Sequence, residues 1–486
     1  MRTVANVVIA LSFIAALSGC SRPTGVAAAA DAMGATNLNS IQFSGTGSHY
    51  AFGQAYAPGE RWPRFEAKTY AAAVDYQTPA MRLEMVRAQA EHPPHGGGAQ
   101  PFAADQRTVT VVSANHAWTE GEGRPTPNPA AVSERLRQVW LTPHGIIKAA
   151  VKSGATANGK VVTLNIEDRE VKATLNDAHL VERVEYLMTN SVIGDVPVDI
   201  TYSDYADFGG VKFPRHIVEK WDGFETVDIT VNDVRPNVAV SLPVPENVAQ
   251  APAPPPVPNV DVEKVADGVW SLYVPNTRSL AVEFADHIVM LEGPTSEARS
   301  LAVNDTIRRL VPGKPIRYVV NTHAHYDHAG GLRTYVAQGA TVITHQRNKA
   351  FYEQAWARPW TIEPDLLAKS PKPVTIETVT DKRVLTDRSG RSVELYAMEN
   401  SGHNANQLLA YLPKERVILY GDGYNPPAGP DPRDPSRTLE FAQQLYDNVQ
   451  RLKLNPARIA AVHSRAVVPF EHLKINLGMG RPTATN

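Results

Sequence analysis

The sequence predicts a mixed α+β protein of two domains, the first mainly antiparallel β and the second built from short strands alternating with helices. Three observations carry this. Apolar residues alternate with polar ones at Met81, Leu83 and Met85, at Val162, Leu164 and Ile166, and at Val227, Ile229 and Val231, the period of half-buried strands. A proline-rich stretch at 242–259, L-P-V-P-E-N-V-A-Q-A-P-A-P-P-P-V-P-N, then reads as a semi-rigid spacer. Beyond it, strand-like runs at 279–284, 287–291 and 316–320 flank a helical spacing at Ala298, Leu301, Ala302, Ile307 and Leu310 that V-P-G at 311–313 closes. The domains are therefore expected over 40–241 and 260–486, and a chain of 486 residues is long enough for two cores. Within the first, one amphipathic helix is expected around Val132, Leu136 and Val139.

Composition narrows the function classes. The chain is 43% hydrophobic and 20% charged, with a formal net charge of −2, so nothing electrostatic argues for a nucleic-acid partner. Cys20 is the sole cysteine, which excludes an internal disulfide or a thiolate metal site. Any metal must be held by nitrogen and oxygen.

Residues 1–20 have the shape of a signal peptide: Arg2, an apolar stretch over 4–17, and the ending L-S-G-C, too short for a comfortable membrane span. That ending resembles the bacterial lipobox. The resemblance implies that Cys20 becomes the lipidated first residue, and Ser21 after it implies sorting to the outer membrane, with the domains on its periplasmic face. The alternative is an ordinary secretory signal cleaved near 27–30, giving a soluble periplasmic or secreted protein. The small, polar stretch 21–39 reads as a tether.

In the first domain, Y-S-D-Y at 202–205 and G-G-V-K-F-P at 209–214, followed by a strand, resemble the curved sheets of periplasmic lipoprotein carriers. That would give a sheet with an apolar face, able to hold a greasy ligand or to pack on its neighbour. His92 and His95 lie in E-H-P-P-H-G-G-G, whose prolines and glycines read as a flexible excursion between strands rather than a metal site.

The chemistry concentrates in N-T-H-A-H-Y-D-H-A-G-G at 321–331, directly after the strand-like run 316–320. Three more candidates also follow apolar runs: His403 after 393–398, Asp422 after 417–420 and His463 after 459–462. In α/β domains functional groups gather on loops at one end of the strands, whereas scattered surface histidines have no reason to prefer those positions. Alternation on an extended loop lets His323 and His325 chelate one ion, while Asp327 and His328 can face another. His345 also closes a strand, over 341–344, and as a lone histidine reads as structural.

This segment resembles the H-x-H-x-D-H signature of the metallo-β-lactamase fold superfamily, and the similarity runs from about Val262 onward, with A-D-G-V-W at 266–270 similar to the family's first strand. The resemblance implies an αββα sandwich with two metals at one edge. His323, His325 and His403 would hold one ion, Asp327, His328 and His463 the second, and Asp422 would bridge them. Two departures stand out: Asn404, Ala405 and Asn406 follow His403 where relatives have Thr or Ser, Pro and Gly, and the last histidine sits in V-H-S rather than G-H-G.

Imidazole and carboxylate donors suit two zinc ions, and iron and manganese fit the same donors. The expected activity is hydrolysis of an ester, thioester, lactone or related bond in a small molecule by a zinc-activated hydroxide, with Asp327 orienting the nucleophile and passing a proton. Tyr326 and Asn406 are candidate substrate contacts. The alternatives are a β-lactam hydrolase, a mononuclear-iron oxidoreductase resembling sulfur dioxygenases, and a lipid-binding lipoprotein with a vestigial metal domain.

Overall fold

The computed structural model describes residues 24–121, 123–427, 431 and 433–480. The signal-like segment and Cys20 lie outside the described residues.

The first domain is an all-antiparallel sheet, thirteen-stranded among the described residues. Its chain meanders outward from Ser40–Tyr50 in one direction and returns to Phe224–Pro236, so that its first long strand and its last lie side by side, His49 opposite Val227. The helices Val132–Leu141 and Pro143–Ser153 connect the two halves. Thr142 caps the second of them, accepting from Gly145 N at 3.2 Å, and Ile146, Ile147 and Ala150 bury against Val162, Leu164, Val171 and Ala173 of the sheet.

Two expectations need correction here. From Gly25 to Met33 the supposed tether is a helix, whose Val26, Ala29, Ala30 and Met33 join that same apolar cluster. Alanines that look unstructured in a composition count are good helix formers once a partner surface is present. The proline-rich spacer likewise contains a helical turn, Glu246–Ala249, and its Val248 is buried against Val109, Val111 and Trp118 of the first domain.

Between the sheet and the helix Val132–Leu141 lies a cavity of about 290 Å³ lined by Phe43, Tyr70, Leu83, Tyr186 and Ile217. Glu219 faces it. Burial lifts the Glu219 carboxyl above its usual 4.5, against a hydrogen bond from Trp221 Nε1. An acid whose folded pKa is raised lowers stability as pH rises above its unfolded pKa, because the unfolded chain ionises first. Glu219→Gln should therefore stabilise the protein by about 1 kcal/mol at neutral pH and lose that advantage below pH 4.5; thermal unfolding followed across pH 4 to 8 checks both signs.

The second domain is a sandwich. Its larger sheet runs Asp261–Ala266, Val269–Val274, Thr277–Glu283, Ile288–Leu291, Ile316–Val320, Thr341–His345 and Ile376–Val379, antiparallel up to Ile288–Leu291 and parallel beyond. The smaller contains Ser392–Ala397, Leu408–Leu412, Val417–Tyr420 and Arg458–Ala461, the last two parallel. Strands buried on both faces need continuous apolar runs, which is what Ile288–Leu291 and Val417–Tyr420 supply. Leu280, Val289 and Val320 meet Leu395, Leu408 and Leu419 between the sheets. Glu297–Leu310, Leu332–Ala337 and Lys349–Trp356 cover the outer face of the larger sheet, and Glu440–Arg451 that of the smaller, completing the expected αββα order.

The two domains are docked. Val192, Ile193 and Val196 of the first bury with Trp356 and Trp360 of the second. Asp195 accepts from Thr361 N and Oγ1 at 2.8 and 2.6 Å, and Arg358 reaches both oxygens of Asp222 at 2.7 Å.

Candidate metal centre

In each sheet of the sandwich a parallel strand pair sets two carboxyl ends side by side. Ile288–Leu291 and Ile316–Val320 deliver Glu292 and the segment from His323 to His328, while Val417–Tyr420 and Arg458–Ala461 deliver Asp422 and His463. His403 stands on the loop between Ser392–Ala397 and Leu408–Leu412. The two sheets approach so closely here that a Cβ at Gly421 would lie 2.3 Å from Thr322 Oγ1. Glycine is the only residue that fits.

All seven expected ligands converge. Among the described residues they form two groups, His323 with His325 and His403, and Asp327 with His328, Asp422 and His463, in each of which the ligand atoms lie within 4.8 Å of one another. In the first, His323 Nε2 stands 3.0 Å from His325 Nδ1 and 3.3 Å from His403 Nε2. In the second, His463 Nε2 is 3.0 Å from His328 Nε2 and 3.2 Å from Asp327 Oδ2. Asp422 Oδ2 lies between the groups, 3.5 Å from His403 Nε2 and 3.9 Å from His463 Nε2.

The outer hydrogen bonds fix the tautomers. His325 Nε2 faces the carbonyl of Ala55 at 2.9 Å, His463 Nδ1 that of Asn276 at 2.9 Å, and His328 Nδ1 the carboxylate of Glu292 at 2.9 Å. Carbonyl and carboxylate oxygens only accept, so each of these nitrogens carries a hydrogen, and the other ring nitrogen turns a lone pair inward whenever the ring is neutral. Lone pairs at 3.0 Å repel unless a cation stands between them. The observed spacings match the edge of about 3.3 Å that two nitrogens span on a tetrahedral zinc ion, so the donor set fits a metal.

Electrostatics separates the two groups. Burial, reinforced by neighbouring histidines, pulls His325 down to about 3 and holds His323 well below its ordinary value; burial also pulls His403 down to about 4, against Asp422. At His463 burial opposes the charge, yet Asp422 and Asp327 prevail and raise it to about 9. His328 is raised too, by Asp327 and Glu292 against burial. Asp327 and Asp422 are held far below the usual carboxylate range by the histidines around them, although burial works the other way.

Several partners were not foreseen. Glu292 is fully buried at φ 74°, a left-handed backbone uncommon outside glycine, and its carboxylate accepts from Thr322 N at 2.6 Å as well as from His328. It follows a strand just as the ligands do, which was the available signal. Asn321 braces the same loop, donating to His323 O at 2.7 Å while Tyr352 OH donates to it at 2.7 Å. Buried Arg278 donates to Ser464 O at 2.7 Å and so holds the His463 turn.

The two expected substrate contacts both have protein neighbours. Tyr326 packs its ring against Phe52, Trp62 and Phe351, beside Asp222 and Arg358 at the domain boundary. Asn406 is buried, its N–H on Asn404 Oδ1 at 2.9 Å and its amide on Asn348 at 3.2 Å. His345 accepts from Arg347 N at 3.2 Å, the structural role expected of it. His95 stays exposed and outside both groups. Its loop is not a free excursion: Gly96 N donates to Gly402 O at 2.9 Å, and a Cβ at Gly97 would lie 2.9 Å from His325 Cε1. The unusual residues after His403 meet the first domain as well, Ala405 N donating to Tyr56 O at 2.9 Å and Asn404 Nδ2 to Ala55 O at 3.3 Å. With the trio sealed on that flank, the exposed edge of the site belongs to Asp327 and His463, whose side chains are 34% and 23% exposed.

Residues 294–463 match the family model of the metallo-beta-lactamase superfamily. The sequence is 22% identical over 172 residues to the metallo-beta-lactamase type 2 of Elizabethkingia meningoseptica, a match that takes in 34% of this chain and 62% of that protein's length. Among solved structures, a metallo-beta-lactamase from Pontibacter korlensis aligns at 17% identity and a TM-score of 0.34 over 46% of this chain and 98% of its own. One from Hirschia baltica aligns at 14% and 0.34, over 46% and 99%. The C-terminal domain is a metallo-β-lactamase-fold domain, and the chain joins it to a mainly antiparallel β domain that closes over one flank of its metal-binding cluster.

Proposed function

We propose that the protein is a metal-dependent hydrolase that holds two zinc ions, one on His323, His325 and His403 and one on Asp327, His328 and His463, with Asp422 between them, and that it cleaves an ester, thioester, lactone or related bond. The convergence of five histidines and two aspartates into two groups, in each of which the ligand atoms lie within 4.8 Å of one another, carries this reading. When bound, such ions supply Lewis acidity toward water and toward a substrate oxygen. The chain's own groups do the rest. Asp327 is ionised, with Oδ1 held by Gln54 Nε2 at 2.8 Å and Oδ2 3.2 Å from His463 Nε2; on this partly exposed edge its carboxylate can orient a nucleophile and move a proton to the leaving group. Burial of the trio excludes bulk water from the inner side.

Zinc analysis of the purified full chain, followed by a panel of thioester, lactone, carboxylic ester, phosphodiester, sulfate-ester and β-lactam substrates, tests the reading. Two zinc ions per chain with turnover of an ester-type substrate are expected. A single iron without hydrolysis would replace the reading with the oxidoreductase, and turnover confined to β-lactams would move it toward the activity named for the Elizabethkingia relative.

Export with Cys20 as a lipid anchor at the periplasmic face of the outer membrane rests on the L-S-G-C ending. Cys20→Ala should release the protein from the membrane fraction; retention there would sink the anchor.

A further inference from the structure

The loop that follows the strand Ser40–Tyr50 crosses from the first domain onto the metal cluster. Gln54 Nε2 donates to Asp327 Oδ1 at 2.8 Å, while its Oε1 accepts from Gly98 N at 3.1 Å. The next residue, Ala55, offers its carbonyl to His325 Nε2 at 2.9 Å. Gly53 O accepts from Tyr326 N at 3.0 Å, which pins the peptide between those two ligands. A Cβ at Gly97 would lie 1.9 Å from Gln54 Oε1, so a bare glycine is what lets the amide reach past the loop to Asp327.

We propose that Gln54 is a positioning residue of the metal centre and that the first domain completes it. The inference rests on the metal-binding reading above. A ligating carboxylate whose free oxygen is unheld can rotate, and a ligating histidine needs its outer N–H fixed to aim its lone pair. In this chain each ion has one ligand whose outer partner lies in the other domain: His325 through Ala55, Asp327 through Gln54. The linked Gln54–Gly98 contact makes the amide a two-ended strut. Its donor end faces the ligand, and its acceptor end is anchored in the first domain.

The experiment uses the full chain as wild type, Gln54→Ala and Gln54→Glu, loaded with cobalt(II) for its visible absorption and with zinc in competition against a chromophoric chelator. Gln54→Glu keeps the acceptor for Gly98 N–H and removes the donor to Asp327, so it separates the strut's two ends. The expected result is zinc affinity lowered about 10- to 100-fold in both variants, an altered cobalt spectrum, and an unchanged unfolding midpoint for the metal-free protein. If Gln54→Glu matches wild type in affinity and spectrum, the proposal is overturned. It is overturned equally if Gln54→Ala binds metal normally and works faster, because the loop would then be a cap over the site. Wild type that binds no cobalt would instead defeat the metal reading itself.

Discussion

Asp327→Asn and His325→Ala should each lower hydrolysis by about 10²- to 10⁴-fold while leaving a folded protein. The two losses have different causes. Asparagine keeps an oxygen for the 2.8 Å bond from Gln54 and nearly the volume of aspartate, so packing survives. What it loses is the charge that holds His463 at 3.2 Å and the acceptor needed to take a proton. His325→Ala removes one of three trio donors and leaves a small void beside the Ala55 carbonyl, which keeps only its 3.3 Å bond from Asn404 Nδ2. Rates on whichever substrate the panel identifies, set beside circular dichroism and bound zinc, decide the matter. Activity within tenfold of wild type for Asp327→Asn would remove Asp327 from the chemistry.

Metal loading should occur in two steps separated by pH. The trio is already deprotonated at neutrality, since His325 and His403 sit at about 3 and about 4, so its affinity should be flat between pH 6 and 9. The second group must release the proton of His463, raised to about 9, and that of His328, also raised, so its affinity should fall by at least tenfold per pH unit below about 9. One zinc ion per chain at pH 6 and two at pH 9, read by titration calorimetry with metal analysis, is the expected pattern. Equal affinity for both ions at the two pH values would contradict it. The metal-free protein adds a linked test. His325 and His403 are depressed, so their stabilisation is complete above 6.5 and fades as pH falls; His463 is raised, so its contribution is complete below 6.5 and fades toward 9. The contributions of these three histidines are jointly greatest near pH 6.5.

The seven residues that converge were legible because each stands just past a short apolar run, and strand ends of an α/β sandwich converge at one edge. Glu292 obeys the same rule, and it escaped notice because a carboxylate that orients a histidine has no motif of its own. Gln54 and Gly97 could not have been found that way. Their partners lie more than 200 residues onward, and nothing local distinguishes G-Q-A or H-G-G-G from an ordinary loop. The tether at 21–39 failed for a related reason: helix Gly25–Met33 exists because Pro143–Ser153 and the sheet offer it a face, and composition does not record a face.

The ligands divide between the sheets. His323, His325, Asp327 and His328 hang from the larger one, and His403, Asp422 and His463 from the smaller. Each metal group therefore draws on both, and an ion bound in either would act as a covalent cross-link does, closing chain loops of 80 residues between His323 and His403 and 135 between His328 and His463. Stripping the metal would then remove a staple from the sandwich as well as the chemistry from the site.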